Sequence, residues 1–449
     1  MKLLSKLLFL GLFSLALTNC EDKLEIDPAQ SLDAGTALGT EANIKTVLVG
    51  TYAEAGRNDA YGGRYQMMVD LLGANGNVTW GGTFFDPGDI FNKTILVTNG
   101  FVAGFWNNEY AVVNQANLIL DNLDVIESST EERERVEGEA RFLRALAYFD
   151  LNRMFSSGDL GVPLRTEGLV DYSADLTIDR ASTSEVYALV VSDLEQAFNL
   201  LPESNGIFAD RYSAQALLAR VQLHLGNYQA ALTAADNVIA NSGRALTPTY
   251  ADAFNNDANS TEDLFAIQVT SQDGENDLIV HYASEANGGR RGDVRINDAY
   301  LDVFGSDTTN DARANFFVEG EVAGRRLTGK YTNQFGNISL IRLAEMYLIR
   351  AEANLRLDSE VGASPREDLN TIRGRAGAEL LEEDDEIDLT FILNERLREL
   401  AFEGFFLHDY RRFGVEIDGF EPDANALVFP IPQSETDTNP EIMQNPGYN

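Results

Sequence analysis

Residues 218–238 read LARVQLHLGNYQAALTAADNV. Leu218, Ala219 and Leu223 lead into Gly226-Asn227-Tyr228, after which Ala231, Ala235 and Val238 recur at helical spacing. Small side chains at Ala219 and Ala231 let two antiparallel helices approach closely, and Gly226 permits the tight turn between them. The stretch therefore specifies a helical hairpin.

Working outward, the same logic recurs, and it is that of a tetratricopeptide repeat. Ile341 to Leu355 is apolar nearly all round and is expected to be buried, with Leu369 and Ile372 on its partner helix. Upstream, Val136, Ala140, Leu143, Ala147, Leu151 and Met154 form one stripe of a helix over 131–155. Ser129 with Glu132 supplies a capping box there, and Gly158 and Pro163 stop the helix. Ser182 with Glu185 opens another helix, carrying Val186, Leu189, Val190, Leu194, Ala197 and Leu201 and ending at Pro202. Two recognisable hairpins and two degenerate ones, the helices near 105–155 among them, make a mostly α-helical protein built on a small solenoid. Such repeats are scaffolds and by themselves name no function.

At the N-terminus, Lys2 and Lys6 precede an apolar run from Leu7 to Leu17 and then Thr18-Asn19-Cys20, with Glu21-Asp22 next. This reads as a lipoprotein signal peptide over 1–19, with Cys20, the chain's one cysteine, as the lipidated residue. An ordinary secretory leader with an incidental cysteine is the alternative. The apolar run is shorter than the roughly 20 residues a membrane span needs. Residues 20–33, polar and bearing Pro28, read as a tether, and 34–449 as a single domain.

The formal net charge is -37, and about -39 once Lys2 and Lys6 leave with the signal, which excludes nucleic acid as the ligand. One cysteine allows no intramolecular disulfide, and His224, His281 and His408 are too scattered for a Cys/His metal motif. No cofactor or metal is expected. Asp257, Asn259, Thr261 and Asp263 alternate like calcium ligands, but Glu262 and Gln268 stand where such a loop needs Gly and Glu, so loop solvation is the expected role. Glu395, Glu399 and Glu403 form a carboxylate ladder at i, i+4 and i+8, with Arg396 and Arg398 interleaved. Among 71 acidic residues a spaced pair arises by chance, so the ladder is read as ion pairing and solvation of a helix face rather than a glycosidase pair. G-x-S-x-G, P-loop and H-E-x-x-H motifs are absent, and His408 is read as a satisfied framework histidine.

Two stretches lack sustained helical periodicity: 58–108, crowded with Gly, Asn and aromatics, and 244–338, with short β-like runs such as Leu264 to Val269. Long irregular segments over a rigid frame are usually functional loops. Sugars stack C–H patches on aromatic faces and hydrogen-bond nearby amides and carboxylates. Asn75, Asn77, Trp80, Phe84, Phe85 and Asp86 offer that combination, and Tyr282 and Arg291 are candidates from the second stretch. Trp106 and Tyr110 are expected to be core.

Several blocks then resemble a known family. They are RFLRALAYFD (141–150) with GVPL (161–164), DAR (311–313), GKY (329–331), IRLAE (341–345), RAEA (350–353), LNTIRGRAG (369–377), ERLRELAFEG (395–404), DYRRFG (409–414), FPIP (429–432) and QNPGY (444–448). In this order behind a lipoprotein signal they resemble the SusD/RagB-like outer-membrane lipoproteins of glycan-feeding bacteria. Phe405 departs from the family, which commonly places arginine after Glu-Gly, so one local ion pair is expected to be missing. The resemblance implies four tetratricopeptide-type hairpins packed against an irregular part. It also implies a surface-exposed, lipid-anchored outer-membrane location and a partner TonB-dependent (SusC-like) transporter to which a bound oligosaccharide is delivered. A peptide-binding relative and a surface glycoside hydrolase are the alternatives.

Overall fold

The computed structural model describes residues 38–170, 176–272, 276–305 and 309–448. The signal, Cys20 and the tether lie outside them. Helix α1 (Glu41–Ala55) is followed by α2 (Arg64–Leu72), strand β1 (Val78–Trp80) and the short α3 (Phe85–Phe91), then by α4 (Gly100–Asp121) and α5 (Thr130–Phe155). A ribbon of β2 (Leu160–Pro163) and β3 (Arg180–Ser182) leads to α6 (Thr183–Leu200), α7 (Arg211–His224) and α8 (Tyr228–Asn241). Next come β4 (Asp263–Ile267), α9 (Asp277–Tyr282), β5 (Val294–Ile296), α10 (Asp298–Leu301), β6 (Phe317–Glu319), β7 (Arg326–Thr328) and β8 (Ile338–Arg342). The chain ends in α11 (Leu343–Leu357), α12 (Pro365–Ala376), α13 (Leu389–Leu400), α14 (Phe406–Phe413) and α15 (Gln433–Thr438). None of the described helices is long and apolar enough to cross a membrane.

The long helices stand in a row. α1 packs on α4, α4 on α5, α5 on α6, and so on through α7 and α8; α11 then packs on α8, with α12 and α13 against it. This neighbour-to-neighbour order is that of a helical-repeat solenoid. The chain leaves the row twice, between α1 and α4 and between α8 and α11, and the two excursions meet. β1 from the first pairs antiparallel with β5 from the second, opening a four-stranded sheet ordered β1-β5-β7-β6. The β-like run anticipated near Leu264 is β4, which pairs with β8.

Local signals place the helices. Ser182 and Glu185 form the full capping box of α6. Ser129 caps α5 by accepting from the Glu132 backbone N–H at 3.1 Å, but the expected reciprocal bond gives way to ion pairs: the Glu132 carboxylate meets Lys45 at 2.6 Å and Arg135 at 2.8 Å. In the α7–α8 hairpin Gly226 has φ 74°, a left-handed backbone, and Ala219 and Ala231 are fully buried. Ala231→Phe should overpack this contact and cost about 1–3 kcal/mol. A thermal melt indistinguishable from wild type would contradict the close approach.

The stretch 58–108 is more helical than its sequence suggests. In α2 the residues from Tyr65 to Leu72 are all buried, so no polar face exists to produce a periodic signal.

The carboxylate ladder pairs as expected but is not solvated. Glu395 and Glu399 are fully buried. Glu395 receives Arg313 at 2.8 Å, Arg373 at 3.0 Å and Arg398 at 2.8 Å. Glu399 receives Arg342 at 3.1 Å and Arg375, and Glu403 receives Lys330 and, at 2.8 Å, Arg342. Arg342 also holds Glu262 at 2.6 Å, and Arg313 holds Asp311 at 2.8 Å. Burial alone would raise the Glu399 carboxyl, but the guanidinium groups of Arg375, Arg342 and Arg313 bring it down to about 2. The blocks DAR, GKY, IRLAE, LNTIRGRAG and ERLRELAFEG, scattered over some 90 residues, thus converge on one buried ionic network that ties α12 and α13 to the second excursion. The Phe405 ring lies 5.1 Å from the guanidinium of Arg220 and 5.8 Å from that of Arg396, so it makes cation–π contacts with both.

Candidate functional site

The candidate residues from the sequence lie in the two excursions, which join at β1 and β5. Register pairs Trp80 with Val294 and Thr79 with Arg295, and the Gly81 N–H continues the pairing by donating to the Asp293 carbonyl at 2.7 Å. The Trp80 indole, half-buried, lies against two glycines. A Cβ on Gly82 would stand 2.3 Å from the ring, and one on Gly88 3.4 Å from it. Gly82→Ala should therefore displace the indole without deleting any ring, whereas Gly88→Ala should be tolerated. Ligand titration and tryptophan fluorescence check this; an unshifted spectrum and unchanged affinity in Gly82→Ala would contradict the packing.

Three rings converge on His281. Its imidazole lies 5.7 Å from Trp80, 6.1 Å from Phe84 and 6.3 Å from Phe101, centroid to centroid. His281 is buried, with Nδ1 3.2 Å from the Asp293 carboxylate. The guanidinium of Arg290 stacks 4.2 Å over Phe84, and that of Arg64 lies 4.5 Å over Phe101. Phe84 is 43% exposed and Phe85 85%, and these are the aromatic side chains left exposed among the described residues. The result is a cluster of rings, two of them exposed, with charged side chains packed on it, suited to stacking on a flat-faced ligand.

The other sequence candidates divide. Arg291 is exposed beside Arg290. Asn75, with φ 43°, exchanges hydrogen bonds with Asp418, and Asn77 is buried and donates to the Tyr410 hydroxyl at 2.6 Å. Asp86 accepts from the Gly100 N–H at 3.0 Å, capping α4. Tyr282 is buried and donates to Asp70 at 3.0 Å, with the Asp70 carboxyl pushed up to about 7 by burial. These four residues spend hydrogen-bonding groups on the protein's own framework. His281 and Arg290 escaped the sequence reading, which settled on their neighbours Tyr282 and Arg291. In the six-residue α9 both His281 and Tyr282 are buried, so no periodicity distinguishes them.

Elsewhere, Trp106 is buried and Tyr110 half-buried, its hydroxyl donating to the Pro163 carbonyl at 2.7 Å. Both border a cleft of about 830 Å³ between α4, the segment after β2 and α15, which also takes in Arg165, Leu176 and Glu435. It contains none of the candidates. His408 is buried against the Tyr65 hydroxyl at 3.1 Å, and burial drives its pKa well below the usual histidine value, leaving it neutral. Asp257 accepts from Asn333 at 2.7 Å and Asn259 from Gln268 at 2.8 Å, so these oxygens serve the loop. Among the described residues no group of three His, Cys, Asp or Glu side chains could hold a metal ion.

Comparison with known proteins agrees with this architecture. Residues 24–223 match the family described as starch-binding associating with outer membrane, and 284–427 match the SusD family. The chain is 28% identical to SusD-like protein P2 of Formosa agariphila over 97% of this chain and 98% of that one. Among solved structures, a putative sugar binding protein from Bacteroides vulgatus superposes with a TM-score of 0.81 at 28% identity, over 91% of this chain and 99% of the other. A SusD superfamily protein from Bacteroides thetaiotaomicron gives 0.79 at 26%, over 91% and 100%. With the two matches together spanning most of its length, and the relatives covered almost end to end, the chain belongs to the SusD/RagB family.

Proposed function

We propose that this protein binds a nutrient oligosaccharide on the surface formed by Trp80, Phe84 and Phe85, with Arg291 at its edge, and delivers it to a partner TonB-dependent outer-membrane transporter of SusC type. Asn75, Asn77, Asp86 and Tyr282 keep that surface in place from behind. The observation that carries the reading is the exposure of Phe84 and Phe85 beside a half-buried tryptophan, while every other described aromatic side chain is at least partly covered. Leaving such rings in water forgoes the stabilisation of burying them, which a binding role explains. The similarity to a putative sugar binding protein and to the starch-binding family supports carbohydrate as the ligand.

Lipid on Cys20 and the polar tether would hold the protein at the outer surface of the outer membrane, with the helical row free to face the transporter. Catalysis is not part of this reading, since the carboxylate ladder is occupied by arginines. Two measurements on the full lipidated chain test the proposal. Affinity purification from detergent extracts should bring down an outer-membrane barrel, and calorimetric titration should show binding to an oligosaccharide without release of reducing sugar. Binding of peptides alone, or hydrolysis of the bound glycan, would overturn it.

A further inference from the structure

The last two residues of α9, His281 and Tyr282, are each tied to a buried carboxylate, one from either excursion. Tyr282 donates to Asp70 of α2 at 3.0 Å, and His281 Nδ1 lies 3.2 Å from the carboxylate of Asp293, the residue before β5. All four side chains are buried. The start of α9 is fixed as well: the Asp277 N–H donates to the Gly62 carbonyl at 2.9 Å, and the Asp277 carboxylate pairs with Arg64 at 2.8 Å. The backbone that carries His281 is therefore held at both ends.

Asp293 reaches Trp80 by a second route. Its carbonyl accepts from the Gly81 N–H at 2.7 Å, and a Cβ on Gly82 would stand 2.8 Å from its carboxyl carbon and 2.3 Å from the Trp80 ring. Carboxyl group and indole thus meet at one glycine. The imidazole lies 5.7 Å from Trp80 with 52° between the rings, and 6.1 Å from Phe84 at 73°. Trp80 and the exposed Phe84 therefore both lean on a ring that is itself covered. Buried Glu395 and Glu399 are held by arginines, whereas among the described residues Asp293 makes no ion pair with lysine or arginine and faces His281 instead.

Resting on the carbohydrate reading above, we infer that Asp293 and His281 are positioning residues of the site. A carboxylate only accepts, so Nδ1 carries the proton, and this bond fixes the imidazole plane. The imidazole in turn fixes the angles at which Trp80 and Phe84 meet a sugar. Side chains that present a face to a ligand keep their rotamers only when packing and hydrogen bonds behind them hold them there. Burying a carboxylate beside an imidazole contributes little net stability, so the pair acts mainly on orientation.

The test reads Trp80 directly, with and without sugar. Trp106, the other tryptophan, is 2% exposed, so acrylamide quenching of the emission reports Trp80. The full chain is compared as wild type, Asp293→Ala, Asp293→Asn and His281→Asn, each with a thermal melt, and titrated with a maltooligosaccharide, a xylooligosaccharide and a laminarioligosaccharide. Asp293→Asn keeps an oxygen that accepts from Nδ1 and should retain wild-type emission and affinity. Asp293→Ala should shift the emission, increase quenching and weaken binding of whichever sugar the wild type binds by about tenfold. His281→Asn keeps a donor towards Asp293 but removes the ring, and should have the same effects; it decides alone if Asp293→Ala does not fold. A merely structural pair would lower the melts and leave emission, quenching and affinity of the folded protein unchanged, which would overturn the inference while leaving the carbohydrate reading intact. Shifted emission in a protein that binds none of the three sugars would uphold the positioning of Trp80 and count against the carbohydrate reading.

Discussion

Glu399→Ala is expected to destabilise the protein by about 3–5 kcal/mol, the cost of leaving buried cations without their partner. The carboxylate is fully buried and draws Arg342, Arg375 and Arg313 together from β8, α12 and the segment before β6. Glu399→Gln should recover little, because an amide keeps the shape and loses the charge. Glu203→Ala provides the contrast: its exposed carboxylate is 3.8 Å from Arg211, and such surface pairs contribute about 0–1 kcal/mol. Chemical denaturation of the three variants measures both effects. A Glu399→Ala cost no larger than that of Glu203→Ala would show the network to be ornamental. The sign with pH follows from the same contacts. A carboxyl held at about 2 in the folded state contributes stability that is present at neutral pH and lost as pH falls below the ordinary carboxylate range.

Trp80→Ala should abolish or sharply weaken oligosaccharide binding and also cost about 2 kcal/mol, roughly half that of deleting a fully buried tryptophan. Sequence reasoning offers a choice between a loop platform and a core residue. The structure places Trp80 between them, one part packed on Gly82, Gly88 and His281 and the remainder reaching the surface. A large stability loss with binding retained per folded molecule would make the ring purely structural.

What could be read from the sequence follows the range of each interaction. The capping box of Ser182 and the turn at Gly226 act over a few residues, and both appear where the sequence places them. α2 was hidden because a helix buried on all sides has no amphipathic pattern. Asn77 and Asp86 look like sugar ligands in a Gly- and Asn-rich stretch, but Asn77 is taken up by Tyr410, 333 residues away, which no local pattern reveals. The carboxylate ladder was legible as ion-paired, yet its burial depends on cations from four separate segments that only the fold assembles. Trp80, Phe84 and Phe85 were legible as ring chemistry; the histidine against Trp80 and Phe84 and the arginine stacked on Phe84 were not.

The most direct test of the proposed glycan-binding site is calorimetric titration of Phe85→Ala with an oligosaccharide that the wild type binds, paired with a thermal melt. Phe85 is 85% exposed, so deleting its ring should leave the melt unchanged, and any loss of affinity reports contact with the ligand. Stacking on a solvent-facing platform predicts at least about tenfold weaker binding at wild-type stability. Wild-type affinity in Phe85→Ala, and likewise in Phe84→Ala and Trp80→Ala, with loss appearing instead in Tyr110→Ala beside the 830 Å³ cleft, would contradict it.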